Sequence, residues 1–246
     1  GNWKMHGSHA ANAELLQGIL AARPFVAEVA VCVPFPYLSE VAVTLSNSSV
    51  AWGSQDCSAH VQGAYTGETS AAMLAELDCR YVIVGHSERR ALFAETDAVV
   101  VAKLKQAISA GLTPILCVGE TLAEREGNIM EAVITRQLHA VLDALVPEQL
   151  ASIVVAYEPV WAIGTGKTAS PEQAQKVHAF IRGLWAARQP AQAGELIVLY
   201  GGSVKADNAR LLFAQPDVDG GLVGGAALDS NQFCAIVNAA EQAWNN

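Results

Sequence analysis

Short, continuous runs of apolar residues alternate along the chain with longer stretches in which apolar positions recur at helical spacing. Runs without polar alternation are typical of strands that are buried on both faces, as in a parallel sheet. The pattern therefore predicts strands that are joined by helices. The predicted strands are Asn2–Lys4, Glu28–Val33, Val50–Gln55, Tyr81–Gly85, Thr113–Val118, Ser152–Tyr157, Leu196–Tyr200 and Gly220–Val223.

Polar capping residues mark the starts of several helices in the intervening stretches. Thr96 and Ser230 stand where an N-cap side chain would accept a backbone N–H, and Ser170 is followed by Pro171 and Glu172, which favour a first helical turn. The predicted helices are Ala11–Leu20, Thr96–Ala110, Asn128–Leu145, Gln173–Arg188, Asp207–Phe213 and Asn231–Trp244.

Repeated strand–helix units in a chain of 246 residues fit a (β/α)₈ barrel, and a doubly wound open sheet is the alternative. No linker or change of composition divides the chain, so residues 1–246 are expected to form a single domain. The abrupt start at Gly1 leads us to expect that part of the first strand lies upstream of it.

Composition narrows the class of protein. Hydrophobic residues make up 52% and charged residues 16%, which argues against disorder, and the net charge of −9 argues against a nucleic-acid partner. No apolar run approaches the roughly 18 residues of a membrane span, and no signal peptide opens the chain. The five cysteines form no Cys-x-x-Cys pair, so we expect a reduced, cytoplasmic protein.

Polar side chains concentrate at the C-terminal ends of the predicted strands, where a barrel carries its active site. Glu158 follows a buried strand and precedes a stiff Pro159–Trp161 segment and a flexible Gly164–Gly166 segment, which predicts a base followed by a hinged lid. The residues at the strand ends are Asn2, Lys4, Gln55, His86, Glu120, Glu158, Ser203, Gly224 and Gly225.

Motifs spread over essentially the whole chain resemble, in order, those of the triosephosphate isomerase family. They are Asn2–Met5, Gly63–Glu68, Val84–Arg90, Cys117–Glu120, Ala156–Ala169, Tyr200–Val204 and Leu222–Ala226. The resemblance implies a cofactor-free enzyme of glycolysis and gluconeogenesis that interconverts dihydroxyacetone phosphate and D-glyceraldehyde 3-phosphate through an enediolate. Another sugar-phosphate isomerase on a phosphate-binding barrel, or a non-catalytic barrel with a binding role, remains as an alternative.

The resemblance also implies the catalytic roles. Glu158 matches the family's base, and His86 matches the group that polarises the carbonyl. A helix N-terminus disfavours a cationic imidazole, so His86 is expected to act as a neutral donor. Lys4 would offset the negative charge of the substrate and the enediolate, and Asn2 would donate to substrate oxygens.

The same resemblance implies phosphate contacts and supporting residues. Backbone N–H groups at glycine-rich loops suit an anion, because glycine permits close approach. The phosphate contacts implied are Gly164, Ser203, Gly224 and Gly225. The supporting residues implied are Glu88, paired with Lys4; Glu120 and Tyr200, anchors of the open and closed lid; Cys117, packed near the base; and Leu222, an apolar clamp that raises the basicity of the base by desolvation.

The segment Asp56–Thr69 is long for a barrel loop, and long loops tend to be functional. In the family this loop inserts into a second subunit, where Thr66 supports the neighbour's site. The resemblance therefore implies a homodimer as well as a triose phosphate substrate.

Two other signals are rejected, and three positions depart from the family's pattern. Gly164–Thr168 resembles the end of a P-loop, but Trp161 stands where the first glycine is required. His6 and His9 belong to no larger ligand cluster, so no metal is expected. The departures are His6 and Asp56, where asparagine is more usual, and Ala227, which replaces a common serine beside the phosphate loop.

Overall fold

The computed structural model describes residues 1–164, 167–192 and 194–244. Its seven strands form one parallel sheet in which each strand pairs with the next along the chain, so the (β/α) barrel prediction is confirmed over the doubly wound alternative. The strands are β1 Ala30–Val33, β2 Ala51–Ser54, β3 Tyr81–Val84, β4 Thr113–Val118, β5 Val154–Tyr157, β6 Val198–Tyr200 and β7 Gly220–Gly221.

The first residues of the chain join the two ends of this sheet. Asn2 donates its backbone N–H to the Val223 carbonyl at 2.7 Å, and it pairs with Cys32 of β1 in an isolated parallel bridge. The predicted strand Asn2–Lys4 is therefore wrong in extent. Lys4 has a φ of 52°, so the backbone leaves the extended conformation before a strand can continue.

Seven of the predicted strands are confirmed, with boundaries that differ by no more than two residues. Every residue of β3 and β5 is buried, as their unbroken apolar runs predict. The predicted strands extend past the observed ones where apolar residues continue beyond the last backbone pairing, because burial extends beyond the hydrogen-bonded ladder.

The helices surround the sheet, and all six predicted helices are confirmed as α1, α5, α7, α9, α10 and α11. The five that the pattern missed have four to eight residues, so helical spacing has little room to repeat in them. No described helix is long and apolar enough to cross a membrane. The helices are α1 His9–Ala21, α2 Leu38–Leu45, α3 Ala71–Ala75, α4 Ser87–Leu92, α5 Asp97–Ser109, α6 Leu122–Glu126, α7 Met130–Leu142, α8 Pro147–Leu150, α9 Pro171–Arg188, α10 Ala206–Phe213 and α11 Ser230–Trp244.

Two of the three predicted caps are confirmed. Thr96 and Ser170 accept hydrogen bonds from backbone N–H groups three residues further along the chain. Ser230 is the first helical residue instead of the cap, because the Asp229 carboxylate accepts the Gln232 N–H at 2.9 Å.

Two apolar layers hold these elements together. One face of each strand packs against helices around large buried residues such as Trp185 and Leu104, and fully burying one leucine contributes about 1.5–3 kcal/mol. The alternate strand residues face each other inside the barrel, because successive side chains point to opposite faces. This inner layer contains Cys32, Tyr81, Ile83, Ile115, Cys117, Val154, Ala156 and Leu222.

Candidate active site

A cavity of about 380 Å³ opens at the C-terminal ends of the strands, and we call it the front cavity. Residues from distant parts of the chain meet there because parallel strands end at one rim of the barrel. Eight of the predicted site residues line it: Asn2, Lys4, His86, Gly164, Ser203, Leu222, Gly224 and Gly225.

His86 is held by the start of helix α4, for which it is the N-cap residue. Its Nδ1 atom accepts the backbone N–H of Glu88 at 3.2 Å, so in this arrangement Nδ1 carries no proton. The ring proton therefore lies on Nε2, which is 3.0 Å from Oε1 of Glu158. His86 thus accepts at Nδ1 and presents Nε2 to the carboxylate of Glu158.

Glu158 follows β5 and is only 2% exposed. Its Oε2 atom accepts the backbone N–H of Ser87 at 2.8 Å, and its Oε1 atom accepts the Ser87 hydroxyl at 3.0 Å. Together with the bond from His86, these contacts satisfy the buried carboxylate. They orient it toward helix α4, and Glu158 does not line the front cavity.

The environment of Glu158 lowers its pKa, although burial alone would raise it. The hydrogen bonds from His86 and Ser87 outweigh desolvation, so the pKa lies below the usual glutamate value. Desolvation thus acts on this carboxylate in the expected direction, but in the observed arrangement the donors reverse the net shift of its pKa. Leu222, the predicted clamp, lines the front cavity, which Glu158 does not line.

Glu158 instead lines a second cavity of about 540 Å³ with Ser87 and Cys117. The Cys117 thiol is completely buried, and burial together with the nearby charge of Glu158 raises its pKa well above the usual value. Cys117 therefore stays a neutral thiol beside the carboxylate, in the position that the motifs predict.

Lys4 and Asn2 are fixed by each other and by helix α4. The Lys4 ammonium lies 2.5 Å from Oε1 of Glu88, and the Lys4 backbone N–H donates to Oδ1 of Asn2 at 2.9 Å. The Asn2 side chain thus supports the positive φ at Lys4. Lys4 also lies close to the glycine-rich loops, since a Cβ atom at Gly224 would be 3.4 Å from Cε of Lys4.

Both ends of the predicted lid are attached to the barrel. Oε1 of the fully buried Glu120 accepts hydrogen bonds from Trp161 Nε1 at 2.9 Å and Tyr157 Oη at 3.1 Å. At the other end, the Ala169 N–H donates to the Tyr200 hydroxyl at 3.3 Å. The two anchors predicted for different lid states are thus engaged together, and Thr165 and Gly166 of the predicted flexible segment lie outside the described residues.

The loop 56–69 lies outside the front cavity. Its base is closed by the Ser58 N–H, which donates to the Thr69 carbonyl at 2.8 Å. Near its tip the rings of His60 and Tyr65 stack with their centroids 3.8 Å apart, and Thr66 is exposed.

Two residues that the sequence analysis left without a role belong to this region. Ser87 makes two hydrogen bonds to Glu158, and its place directly after His86 at a helix start was the available signal. Lys205 lines the front cavity, where it and Lys4 are the only charged residues among those that the structure describes. Among the described residues, no group of three or more His, Cys, Asp or Glu side chains could hold a metal ion.

A seven-stranded parallel sheet whose two ends are linked through Asn2, with an imidazole, a nearby carboxylate and glycine-rich loops at one rim, defines an α/β-barrel enzyme. The family model for triosephosphate isomerase matches residues 1–240, and the chain belongs to that family. The family inferred from the motifs is confirmed.

Curated relatives agree with this assignment. The chain is 60% identical over 240 residues to the triosephosphate isomerase of Cupriavidus taiwanensis, and the matched region covers 97% of each chain. It is 62% identical over 240 residues to the triosephosphate isomerase of Thiobacillus denitrificans, with 98% of this chain and 96% of the relative covered. The Bordetella pertussis enzyme of the same name is 58% identical over 240 residues, with coverage of 97% and 95%.

Proposed function

We propose that the chain interconverts dihydroxyacetone phosphate and D-glyceraldehyde 3-phosphate, with Glu158 as the base and His86 as the electrophile. The observation that carries this proposal is the 3.0 Å contact between Nε2 of His86 and Oε1 of Glu158 beside a cavity with glycine-rich loops. The contact supports a role for this pair as proton acceptor and hydrogen-bond donor toward one small substrate.

Phosphate binding is the first step of this proposal. Gly164, Ser203, Gly224 and Gly225 present backbone at the wall of the front cavity, and glycine lets phosphate oxygens approach the N–H groups closely. The chain carries a net charge of −9, so attraction of an anion must be local. Lys4 and Lys205 supply it, since no carboxylate lines this cavity.

Proton transfer requires the Glu158 carboxylate to leave Ser87 and turn toward the substrate. That movement removes the hydrogen bonds that lower its pKa, while the burial that raises its pKa remains. The carboxylate therefore becomes more basic as it reaches the substrate. The same movement releases the Nε2–H of His86 from Glu158 and leaves it free to donate to the carbonyl oxygen.

The reaction then proceeds without a cofactor. Glu158 takes a proton from C1 of dihydroxyacetone phosphate, and the electron pair of that C–H bond forms the double bond of an enediolate. His86 and Lys4 stabilise the negative charge that develops on the carbonyl oxygen. Glu158 returns the proton to C2, the hydroxyl proton at C1 is lost, and the oxygen at C2 is protonated, which gives the aldehyde.

The lid would exclude water during these steps. Glu120 and Tyr200 hold its two ends to the barrel beside the front cavity, which supports a lid that closes there. Gly164, with a φ of 68°, lies in a conformation that suits glycine and places its backbone at the cavity wall.

A homodimer through the loop 56–69 is part of the same proposal. Large apolar side chains are exposed on this loop, directly after Lys4 and at the end of α4, and exposed apolar surface favours a protein partner. The exposed residues are Met5, Val61, Tyr65, Leu92 and Phe93. Thr66 would then contact the partner subunit.

The core and the cysteines support two further parts of the proposal. One continuous apolar cluster runs from Trp3 to Ala240, which supports a single domain over residues 1–246. All five cysteines are buried as free thiols, which supports a reducing, cytoplasmic location.

A coupled assay tests the proposal. Purified protein is given glyceraldehyde 3-phosphate without added metal or nucleotide, and formation of dihydroxyacetone phosphate is followed. Glu158→Gln should lower kcat by at least about a thousandfold, because an amide cannot accept the proton. Glu126→Gln, which changes an exposed glutamate of α6, serves as the matched control.

The alternatives give different results. Turnover of another sugar phosphate, but not of the triose phosphates, would support a different isomerase. Binding of phosphate without turnover of any of them would support a non-catalytic barrel. Full activity of Glu158→Gln would remove Glu158 from the role of base.

A further inference from the structure

Four charged side chains meet at the root of the loop 56–69, and we call them the charge cluster. Lys103 of α5 donates from Nζ to Oδ1 of Asp56 at 2.6 Å and to Oε1 of Glu95 at 2.5 Å. Arg89 of α4 binds Oδ2 of Asp56 at 2.9 Å and Oε1 of Glu95 at 2.5 Å. Each cation therefore bridges both carboxylates.

Asp56 balances the charge of this cluster. Asp56, Glu95 and Lys103 are 8%, 8% and 5% exposed, so water screens them poorly. Two carboxylates and two cations give no net charge, whereas an asparagine at position 56 would leave one excess positive charge in the interior. An uncompensated buried charge is unfavourable, so the neighbouring segments would rearrange to expose or separate the cations.

The cluster connects the loop to the proposed catalytic residues. Asp56 is the first residue of the loop, and Arg89 lies in the first turn of α4. His86 caps this helix, and Ser87, its first residue, holds Glu158 through a hydrogen bond. The position of the helix therefore decides where the donors of His86 and Ser87 lie.

We propose that Asp56 is a positioning residue that holds the loop 56–69 and helix α4 in one relative position through Arg89 and Lys103. The inference rests on the proposed function of His86 and Glu158. Asp56 does not line the front cavity, so it would act through the helix and not on the substrate.

Protonation of Asp56 should weaken this connection. Burial raises the pKa of Asp56 above the usual aspartate value, because desolvation outweighs the favourable charges of Lys103 and Arg89, and the charge of Glu95 adds to the rise. The adjacent thiol of Cys57 has a pKa raised to about 12 by burial, so it stays neutral. On acidification Asp56 therefore takes up a proton before an ordinary aspartate does.

The test is Asp56→Asn, which keeps the shape of the side chain and removes its charge. We expect kcat to fall about tenfold, because a small displacement of His86 and Ser87 misplaces the reacting groups. We expect KM to stay within about twofold, because the phosphate loops do not contact the cluster. The acid limb of the kcat profile should lose the ionisation that Asp56 contributes in the unaltered protein.

Asp217→Asn is the matched control. Asp217 lies in the turn between α10 and β7, and the substitution removes a carboxylate that is paired with an arginine. Oδ1 of Asp217 lies 2.8 Å from Nε of Arg182 of α9, and neither residue lines the front cavity. The control should lower the melting temperature and leave kcat within about twofold. It therefore separates loss of stability from loss of position.

Two results would overturn the inference. If Asp56→Asn has the same kcat as the unaltered protein and the same acid limb in the pH profile of kcat, the cluster has only a structural role. Recovery of kcat at higher protein concentration would show that the substitution weakens subunit assembly alone. Failure of the proposed function is distinguishable, because it would appear as absent turnover in the unaltered protein or as full activity in Glu158→Gln.

Discussion

Glu158 illustrates how neighbouring donors can outweigh burial at a single residue. A carboxylate that is 2% exposed would ordinarily be protonated more readily, yet two donors from Ser87 and one from His86 stabilise its charge. These donors keep the carboxylate of the proposed base ionised before substrate binds. Its basicity then depends on leaving them.

Ser87→Ala should raise the pKa of Glu158 in the free enzyme, because it removes the hydroxyl that donates to the carboxylate. Loss of a hydrogen bond to the charged form of a carboxyl group favours its protonated form. The acid limb of kcat/KM should therefore move to higher pH. Ser87→Thr keeps a hydroxyl and should retain the original limb; an unchanged limb in Ser87→Ala would contradict the role of this bond.

His178 should make the protein less stable in acid. It is completely buried in α9, and burial lowers its pKa to about 4 from 6.5. The unfolded chain takes up a proton below pH 6.5 that the folded chain refuses, so stability falls between pH 6.5 and pH 4 and then levels off. The loss from pH 7 to pH 4.5 should be about 2–3 kcal/mol.

Urea unfolding at these two pH values measures this loss. His178→Asn can still donate to the Asp217 carbonyl that Nδ1 contacts at 3.1 Å, and it cannot titrate. Its stability should vary less with pH over the same range by about the same amount. An equal pH dependence in the two proteins would assign the loss to other groups.

At the scale of elements, the lid depends on one buried carboxylate at its first end. Oε1 of Glu120 accepts the Trp161 indole N–H, the Tyr157 hydroxyl and the Arg125 guanidinium, the last at 2.8 Å. A single oxygen thus joins β5, α6 and the start of the lid. Tyr200 of β6 holds the other end.

Glu120→Gln should release the first end of the lid and destabilise the protein. It leaves Arg125 without its carboxylate partner, and breaking a buried pair costs about 3–5 kcal/mol, reduced here because Arg125 is 25% exposed. The fluorescence of Trp161 should change with the loss of its partner. Glu124→Gln preserves the capping box of α6 and should alter neither; similar effects of both substitutions would refute the anchoring role.

The elements also show what local patterns can and cannot predict. The strands were predictable because a run buried on both faces is continuously apolar, as in β5. Helix α4 has only six residues and three of them are charged, so it contains no apolar stripe from which a helix could be predicted. It forms because His86 caps it and because Arg89 and Arg90 find carboxylates on other segments.

At the scale of the whole molecule, the proposed dimer would bring His6 against the partner subunit. His6 is exposed next to Met5, which is 94% exposed, and both follow the site residue Lys4. A positively charged imidazole is unfavourable against an apolar partner surface. We therefore expect the dimer to be weaker at pH 5.5 than at pH 8.

Sedimentation at the two pH values measures the dimer dissociation constant. His6→Asn removes the titration, so the difference between the two pH values should shrink in that variant. Equal dissociation constants of the unaltered protein at pH 5.5 and pH 8 would show that His6 does not control assembly.

The sequence by itself determined the family, the parallel barrel and the set of polar groups at its rim. It could do so because strand burial, helix caps and the motif around Glu158 are local patterns, and because parallel strands must end at one rim. Only the tertiary structure decided how those groups pair. The bonds from Ser87 to Glu158 span 71 positions and that from Lys103 to Asp56 spans 47, and such contacts depend on packing that no local pattern specifies.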